Sequence, residues 1–328
     1  MKTVVLLAGC YAGITLTALA QTPPPPAAAV QSNPANTLQQ INGATPANRP
    51  TGGTPVQAGD NHDLEGLEVV KSYPAPKMFS VFTSQSVFWT DNAFLQRNSH
   101  VSAFGYSGRF GVSFVPYATR DWTPSLTYSY QIIRYDRASV LDFEAMTLAF
   151  ASKYNLTKDG SLSITNSYSL QQLNSPRLGL GNFYNESFFD NQLSYITPIS
   201  QANNVYFLGV AEIGWRLTDP GYYSRVDNSL LFSVIYAPTD QVRLQGYVRP
   251  AAYCYTDDEE FDPNTGAILT GRNRTDFNLS LGAMATYSPN EWLSLNTNLN
   301  WTGNYSTVGF REYEAFTPTL TVSGSYSF

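Results

Sequence analysis

The segment TLTVSGSYSF, Thr319 to Phe328, alternates strictly. Leu320, Val322, Gly324, Tyr326 and Phe328 share one parity, and Thr321, Ser323, Ser325 and Ser327 share the other. Successive side chains of a β-strand point to opposite faces, so this segment reads as a strand with one apolar face and one hydroxyl face. The last few residues of a chain ordinarily fray and are polar. A strand that carries Tyr326 and Phe328 to its very end needs an apolar medium beside it.

The same texture fills the chain from Met78 onward. Phe104-Tyr106-Gly108-Phe110-Val112-Phe114, Leu126-Tyr128-Tyr130-Ile132 and Phe277-Leu279-Leu281-Ala283-Ala285-Tyr287 alternate in the same way, and so do Leu293-Leu295-Thr297-Leu299-Trp301. The pattern predicts twelve strands, at 79–90, 104–116, 122–135, 142–155, 161–173, 188–199, 205–217, 228–237, 241–255, 275–287, 291–302 and 316–328. Strand 205–217 is apolar on both parities between Val205 and Val210, so its register is the least determined. Every second connection is short and turn-like: YATRD, TKDG, SQANN, APTD and SPNE. The others are expected to be long, at 91–103, 174–187, 218–227, 256–274 and 303–315, with 136–141 the shortest of them. A soluble sandwich has no reason to sort loop lengths by parity. A barrel in an asymmetric membrane does, with tight turns on one side and long loops on the other.

Composition agrees. Of 328 residues, 43% are hydrophobic, 14% aromatic and 13% charged, where soluble domains average about 25% charged. No mature stretch of about 18 apolar residues exists to form a transmembrane helix. In water, apolar faces on so many strands would aggregate. In lipid they are solvated, and closing the sheet satisfies every backbone N–H and C=O. Aromatics gather near the strand ends, at Trp89, Tyr117, Trp122, Tyr154, Trp215, Tyr236, Tyr287, Trp301 and Tyr326, as an interfacial girdle would place them. The expected fold is all-β: a closed antiparallel transmembrane β-barrel of about twelve strands over residues 78–328, with a disordered N-terminal linker on the periplasmic side.

Residues 1–20 read as a signal peptide, with Lys2, an apolar run from Val4 to Leu16, and Ala18-Leu19-Ala20 as a cleavage site near Ala20. Leu7-Ala8-Gly9-Cys10 is an alternative lipobox, but the apolar run continues past Cys10. Removing the leader takes away Lys2 and moves the formal charge from −6 to −7. It also leaves Cys254 as the sole cysteine, which excludes an internal disulfide. Residues 21–77 are rich in Pro, Ala, Gln, Asn and Gly and cannot bury enough apolar area to fold. Within them, LEVVKS faintly resembles the energy-coupling box of large outer-membrane transporters, but the chain has no room for their plug and 22-stranded barrel. The acidic balance and the absence of a basic cluster exclude nucleic acid as a partner.

The leader, the alternating strands and the terminal Phe328 together resemble the Gram-negative outer-membrane β-barrel class, porin-like in type. The resemblance implies a cell outer-membrane location, with lipids and lipopolysaccharide around the barrel. It further implies that Tyr326 and Phe328 form a signal read by the barrel assembly machinery. Trp89-Thr90-Asp91-Asn92-Ala93-Phe94 also resembles a recurrent element of poorly characterised barrel families, which implies no chemistry.

Catalytic residues are scarce. His62 and His100 are the two histidines, and His62 falls in the linker. His100-Val101-Ser102 has the His-x-Ser spacing of outer-membrane phospholipase A, since residues two apart share a strand face. Val101 and Ala103 depart from that family's polar neighbours, and a solvated loop histidine is the simpler reading. The run Asp257-Asp258-Glu259-Glu260-Phe261-Asp262-Pro263-Asn264-Thr265-Gly266 lacks the glycine and glutamate positions of an EF-hand. It reads as a solvated loop tip, with divalent bridging to lipopolysaccharide as the alternative. No metal or cofactor is called for.

Strand parity predicts an inward face carrying Arg109, Glu212, Arg216, Arg243, Arg249 and Asp276, with Gln245, Asn278, Asn296, Asn298 and Asn300. Four arginines against two acids would make a mildly anion-tolerant lumen. The alternative is a packed network in which the acids neutralise the arginines. The expected function is a porin-like channel for passive diffusion of small polar solutes. A structural or adhesive barrel acting through its outer loops comes second, and a lipid hydrolase third.

Overall fold

The computed structural model describes residues 78–328 apart from 99, 120, 158–159, 175–183, 201–202, 220, 258–259, 262–267 and 272. The leader, the linker and most of the acidic run lie outside the described residues.

In chain order the strands are β1 (Phe79–Thr90), β2 (Ala103–Phe114), β3 (Trp122–Tyr135), β4 (Phe143–Asn155), β5 (Leu162–Asn174), β6 (Tyr184–Ser200), β7 (Val205–Asp219), β8 (Arg225–Tyr236), β9 (Val242–Tyr255), β10 (Glu260–Phe261), β11 (Ile268–Leu269), β12 (Thr275–Asn290), β13 (Leu293–Ser306) and β14 (Tyr313–Ser327). Strands β10 and β11 form a two-stranded hairpin within the connection from β9 to β12. The other twelve close one antiparallel barrel, each pairing with its neighbour in the chain and β1 pairing with β14. Closure leaves no sheet edge, which is the condition for crossing a bilayer with strands.

The residues that decide the fold also close it. β14 runs against β1 in register from Ser80 and Ser327 to Phe88 and Thr319. The Phe79 N–H donates to the Phe328 carbonyl at 3.1 Å, and the Phe328 N–H donates back at 2.9 Å. The Phe328 ring stacks on Phe79, 6.0 Å between centroids, and Phe79 stacks on Phe114 at 4.8 Å. These rings stand on the outer face at the end of the barrel that carries the shorter turns, here called the turn end. The opposite end is the loop end.

Burial alternates along the barrel strands as the sequence pattern requires. Leu281, Leu320, Phe150 and Phe104 face outward and are exposed, while their chain neighbours Ser280 and Thr321 are buried inside. The ambiguous β7 settles with Leu208 and Val210 inward, packed against Leu231, Ile235 and Tyr247. Apolar packing inside the barrel explains why this strand lacks a polar parity.

Two of the expected long connections are short. β7 runs on to Asp219 and β8 starts at Arg225, so 220–224 joins them; β13 and β14 leave only 307–312. The polar residues read as loop, Arg225, Asp227, Asn304 and Tyr313 among them, continue the ladder because their side chains point inward to partners. The parity rule for loop lengths therefore holds less sharply than the sequence pattern implies.

At the loop end, Trp89-Thr90-Asp91-Asn92 latches the seam between first and last strands. Asn92 is fully buried, and its Nδ2 donates to the Gln96 carbonyl at 2.7 Å and the Glu314 carbonyl at 2.8 Å. The Asp91 carboxylate accepts the Phe316 N–H at 2.8 Å. The element has a structural explanation: it ties the β1 rim to β14 by side chain as well as backbone.

Candidate functional site: the barrel interior

The interior divides into two arcs. Strands β6, β7, β8, β9 and β12 carry the inward carboxylates of the described barrel: Glu186, Asp190, Glu212, Asp227 and Asp276. Because residues two apart share a face, Arg225 and Asp227 point inward together, and β7 register sets Arg216 opposite Arg225. Arg225 Nε donates to Asp227 Oδ1 at 2.6 Å, and Arg216 Nη2 reaches Asp227 Oδ2 at 3.4 Å. Arg216 also pairs with Glu186 and lies over the Phe188 ring at 4.5 Å. Deeper in, Arg249 Nη2 reaches Glu212 Oε2 at 3.4 Å, which also accepts from Ser229 Oγ at 3.2 Å.

At the loop end of this wall, Arg274 pairs with Asp276 and lies over the Tyr255 ring at 4.0 Å. Asp276 also accepts from Ser306 Oγ at 2.6 Å and Asn304 Nδ2 at 3.3 Å. Buried ions are tolerated only with such partners, since the desolvation cost is several kcal/mol per ion. One oxygen has none: Asp190 Oδ2 accepts from Gln192 Nε2 at 2.6 Å, but the buried Oδ1 has no hydrogen-bond partner.

The second arc, β14 and β1 to β5, is lined mostly by Ser, Thr, Ala and Gly. Ser84, Ser86, Ser107, Thr127, Thr147, Ser167 and Thr319 are half-buried. No carboxylate faces inward from these six strands among the described residues, and the inward cations are Arg109 at mid-strand and Lys153 at the turn end. β13 borders both arcs: its Asn298 and Asn300 accept from the Tyr247 hydroxyl, at 3.4 and 3.0 Å. The hydroxyl arc is topped at the loop end by an apolar collar of Ile133, Phe143, Ala145 and Leu173, with Phe88, Tyr135 and Tyr223 packed against it.

All six inward residues predicted from parity, Arg109, Glu212, Arg216, Arg243, Arg249 and Asp276, fall on the inner face. The structure groups Glu212, Arg249 and Arg216 on the charged arc, Asp276 at its loop end and Arg243 exposed at its turn end. Arg109 stands apart. Sequence reading missed Glu186, Asp190, Arg225, Asp227 and Arg274. Glu186, Arg225 and Arg274 fall inside segments read as loops, and Asp227 sits one residue before the expected start of its strand. The alternation Arg225-Val226-Asp227, continuous in parity with Leu231 and Ser233, was the available signal. With these residues added, six inward arginines face five inward acids among the described residues, so the excess of arginine falls from two to one.

Cys254 faces outward from β9, and His100 is exposed before β2. Among the described residues no hydrogen bond joins His100 to Ser102.

No protein-family model matches the chain, and no curated relative matches it. In structure, it is similar to the outer membrane channel from Pseudomonas putida F1, with 14% identity and a TM-score of 0.51, covering 79% of this chain and 100% of that one. The fold is that of an outer-membrane β-barrel. Matches with lower TM-scores include the β domain of the Bordetella autotransporter BrkA, at 12% identity, TM-score 0.44, and 76% and 100% coverage. LpxR from Salmonella typhimurium matches at 10% identity, TM-score 0.44, and 74% and 99% coverage. At these identities the likeness is one of fold.

Proposed function

We propose that this protein is an outer-membrane channel for passive diffusion of small polar solutes, with its path along the hydroxyl arc. The observation that carries this reading is the division of the inner face. One wall is locked in ion pairs, while the other offers half-buried hydroxyls, which replace a solute's water without binding it tightly. The apolar collar gates the path at the loop end, because a hydrophobic constriction conducts only when it wets.

Purified full-length protein in a planar bilayer tests this. Small, intermittent conductance is expected, rising in Phe143→Ala and Leu173→Ala, which trim the collar. A folded barrel that passes no current either as wild type or with the collar trimmed overturns the channel reading.

A structural or adhesive surface barrel is the second reading, favoured by the collar and paired wall, which both stand at the loop end. Deleting 256–274 separates the two: a channel keeps conducting, whereas an adhesin loses its partner. Orientation follows the parity argument, with Phe79 and Phe328 on the periplasmic side and the loop end facing out among lipopolysaccharide. Tyr326 and Phe328, exposed at the turn end, are then placed for the assembly machinery to read. Deleting Phe328 should lower the folded fraction in the outer membrane while leaving in vitro refolding intact; equal loss in both assays removes the signal role.

A further inference from the structure

We infer that Arg109 is an anion site halfway through the barrel and that it sets the sign of the ions that pass. The second half of this statement rests on the channel reading; the binding site does not.

Arg109 is the seventh residue of the twelve-residue β2, so it lies at mid-depth. Arg109 is half-buried, whereas the fully buried interior arginines, Arg216, Arg225, Arg249 and Arg274, are each paired with a carboxylate. Arg109 has no carboxylate within ion-pair reach among the described residues, and its whole arc has none facing inward. Its neighbours are polar and neutral. Nη2 donates to Ser129 Oγ at 3.1 Å, and the cross-strand partners are Ser84 and Gln131. Gln131 is itself held by donating to Ser107 Oγ at 3.2 Å.

The side chain is also positioned from below. The Phe82 ring packs against Gly111, where a Cβ would come within 2.3 Å of the ring and 2.7 Å of the Tyr128 carbonyl oxygen. Any side chain at 111 would lift that ring. The Arg109 guanidinium sits above the ring, 5.5 Å from its centroid. A guanidinium has five donors in a planar fork suited to oxyanions. One of them is used by Ser129, and the rest, with the Ser84 hydroxyl beside them, have no protein acceptor among the described residues. A fixed cation without a counter-charge on a hydroxyl wall is completed by a small anion from solution, an oxyanion such as sulfate best of all.

The test uses the full chain in two assays. In a potassium chloride gradient across a planar bilayer, chloride should be preferred over potassium by a factor of about 30, because one unit charge some 4 Å away in near-aqueous surroundings favours the anion about fivefold and disfavours the cation about fivefold. Arg109→Gln should bring the ratio close to one, and Arg109→Lys should retain it. In detergent, titration of the folded barrel with sodium sulfate should show binding that Arg109→Gln abolishes and Arg109→Lys weakens, since lysine keeps the charge and loses the fork. Folding of each variant is read from its heat-modifiable mobility.

Current with an unchanged ratio in folded Arg109→Gln overturns the selectivity role. Absence of sulfate binding to the folded wild type overturns the site. Arg109-dependent sulfate binding without any current upholds the site and overturns the channel reading instead.

Discussion

The two arcs of the inner face meet the same constraint in opposite ways. Each must present a polar surface inside a sheet whose outer face is apolar. The five strands of the charged arc do so with long side chains whose charges cancel locally, and they fill their space: Arg249 is 5% exposed and Asp227 is 3%. The hydroxyl arc uses short side chains with little charge, and those side chains stay half-exposed. What differs is the consequence of a change. A wall of paired ions depends on every member, because a lost partner strands a buried charge. A wall of hydroxyls depends on none in particular.

Asp227→Ala is the harshest test of that contrast. Asp227 is the shared partner of Arg216 and Arg225, and removing it leaves two buried guanidiniums with one acid, Glu186, between them. The expected cost is about 3–5 kcal/mol, measured as a lower urea midpoint for the refolded barrel in lipid vesicles. A shift under about 1 kcal/mol would mean that the interior is wetter than its burial implies, and the division into arcs would lose its energetic content.

Asp190→Asn probes the same wall with the sign reversed. Among the described residues, Asp190 is the one inward carboxylate there with a buried oxygen lacking any donor. The asparagine oxygen keeps the bond from Gln192, while the amide cannot carry a negative charge beside that of Glu212. A gain of about 1 kcal/mol is expected in the same urea assay. A loss would show that Asp190 is balanced by a cation its geometry does not reveal.

Much of this was legible in the sequence, and the reason is periodicity. Outer-face residues such as Leu281 and Leu320 were readable because the membrane imposes one rule on every strand. The same rule gave the parity of Arg109, Arg216 and Arg249. It could not say which arginines are paired, since pairing depends on cross-strand register: Arg216 meets Glu186 across 30 residues. It also misplaced the loop-end boundaries. Asp227 and Asn304 look like loop residues by composition and behave as strand residues by contact. The collar was invisible for a related reason, because Ile133, Phe143 and Leu173 face inward from three strands whose other inward residues are mostly small or polar.

The gentlest prediction concerns the hydroxyl arc and separates stability from passage. Thr147 lies in mid-β4, half-buried on the inner face and flanked in register by Ser129 and Gln171. Thr147→Ala should cost less than about 1 kcal/mol, the full span of strand preference, and leave conductance unchanged. Thr147→Trp should be tolerated nearly as well, because the side chain at 147 is half-exposed on the inner face, yet it should reduce conductance by narrowing the path. If the tryptophan instead destabilises the barrel as strongly as Asp227→Ala, the space is already filled. The hydroxyl arc would then be a packed wall like its neighbour, and the path would have to run elsewhere.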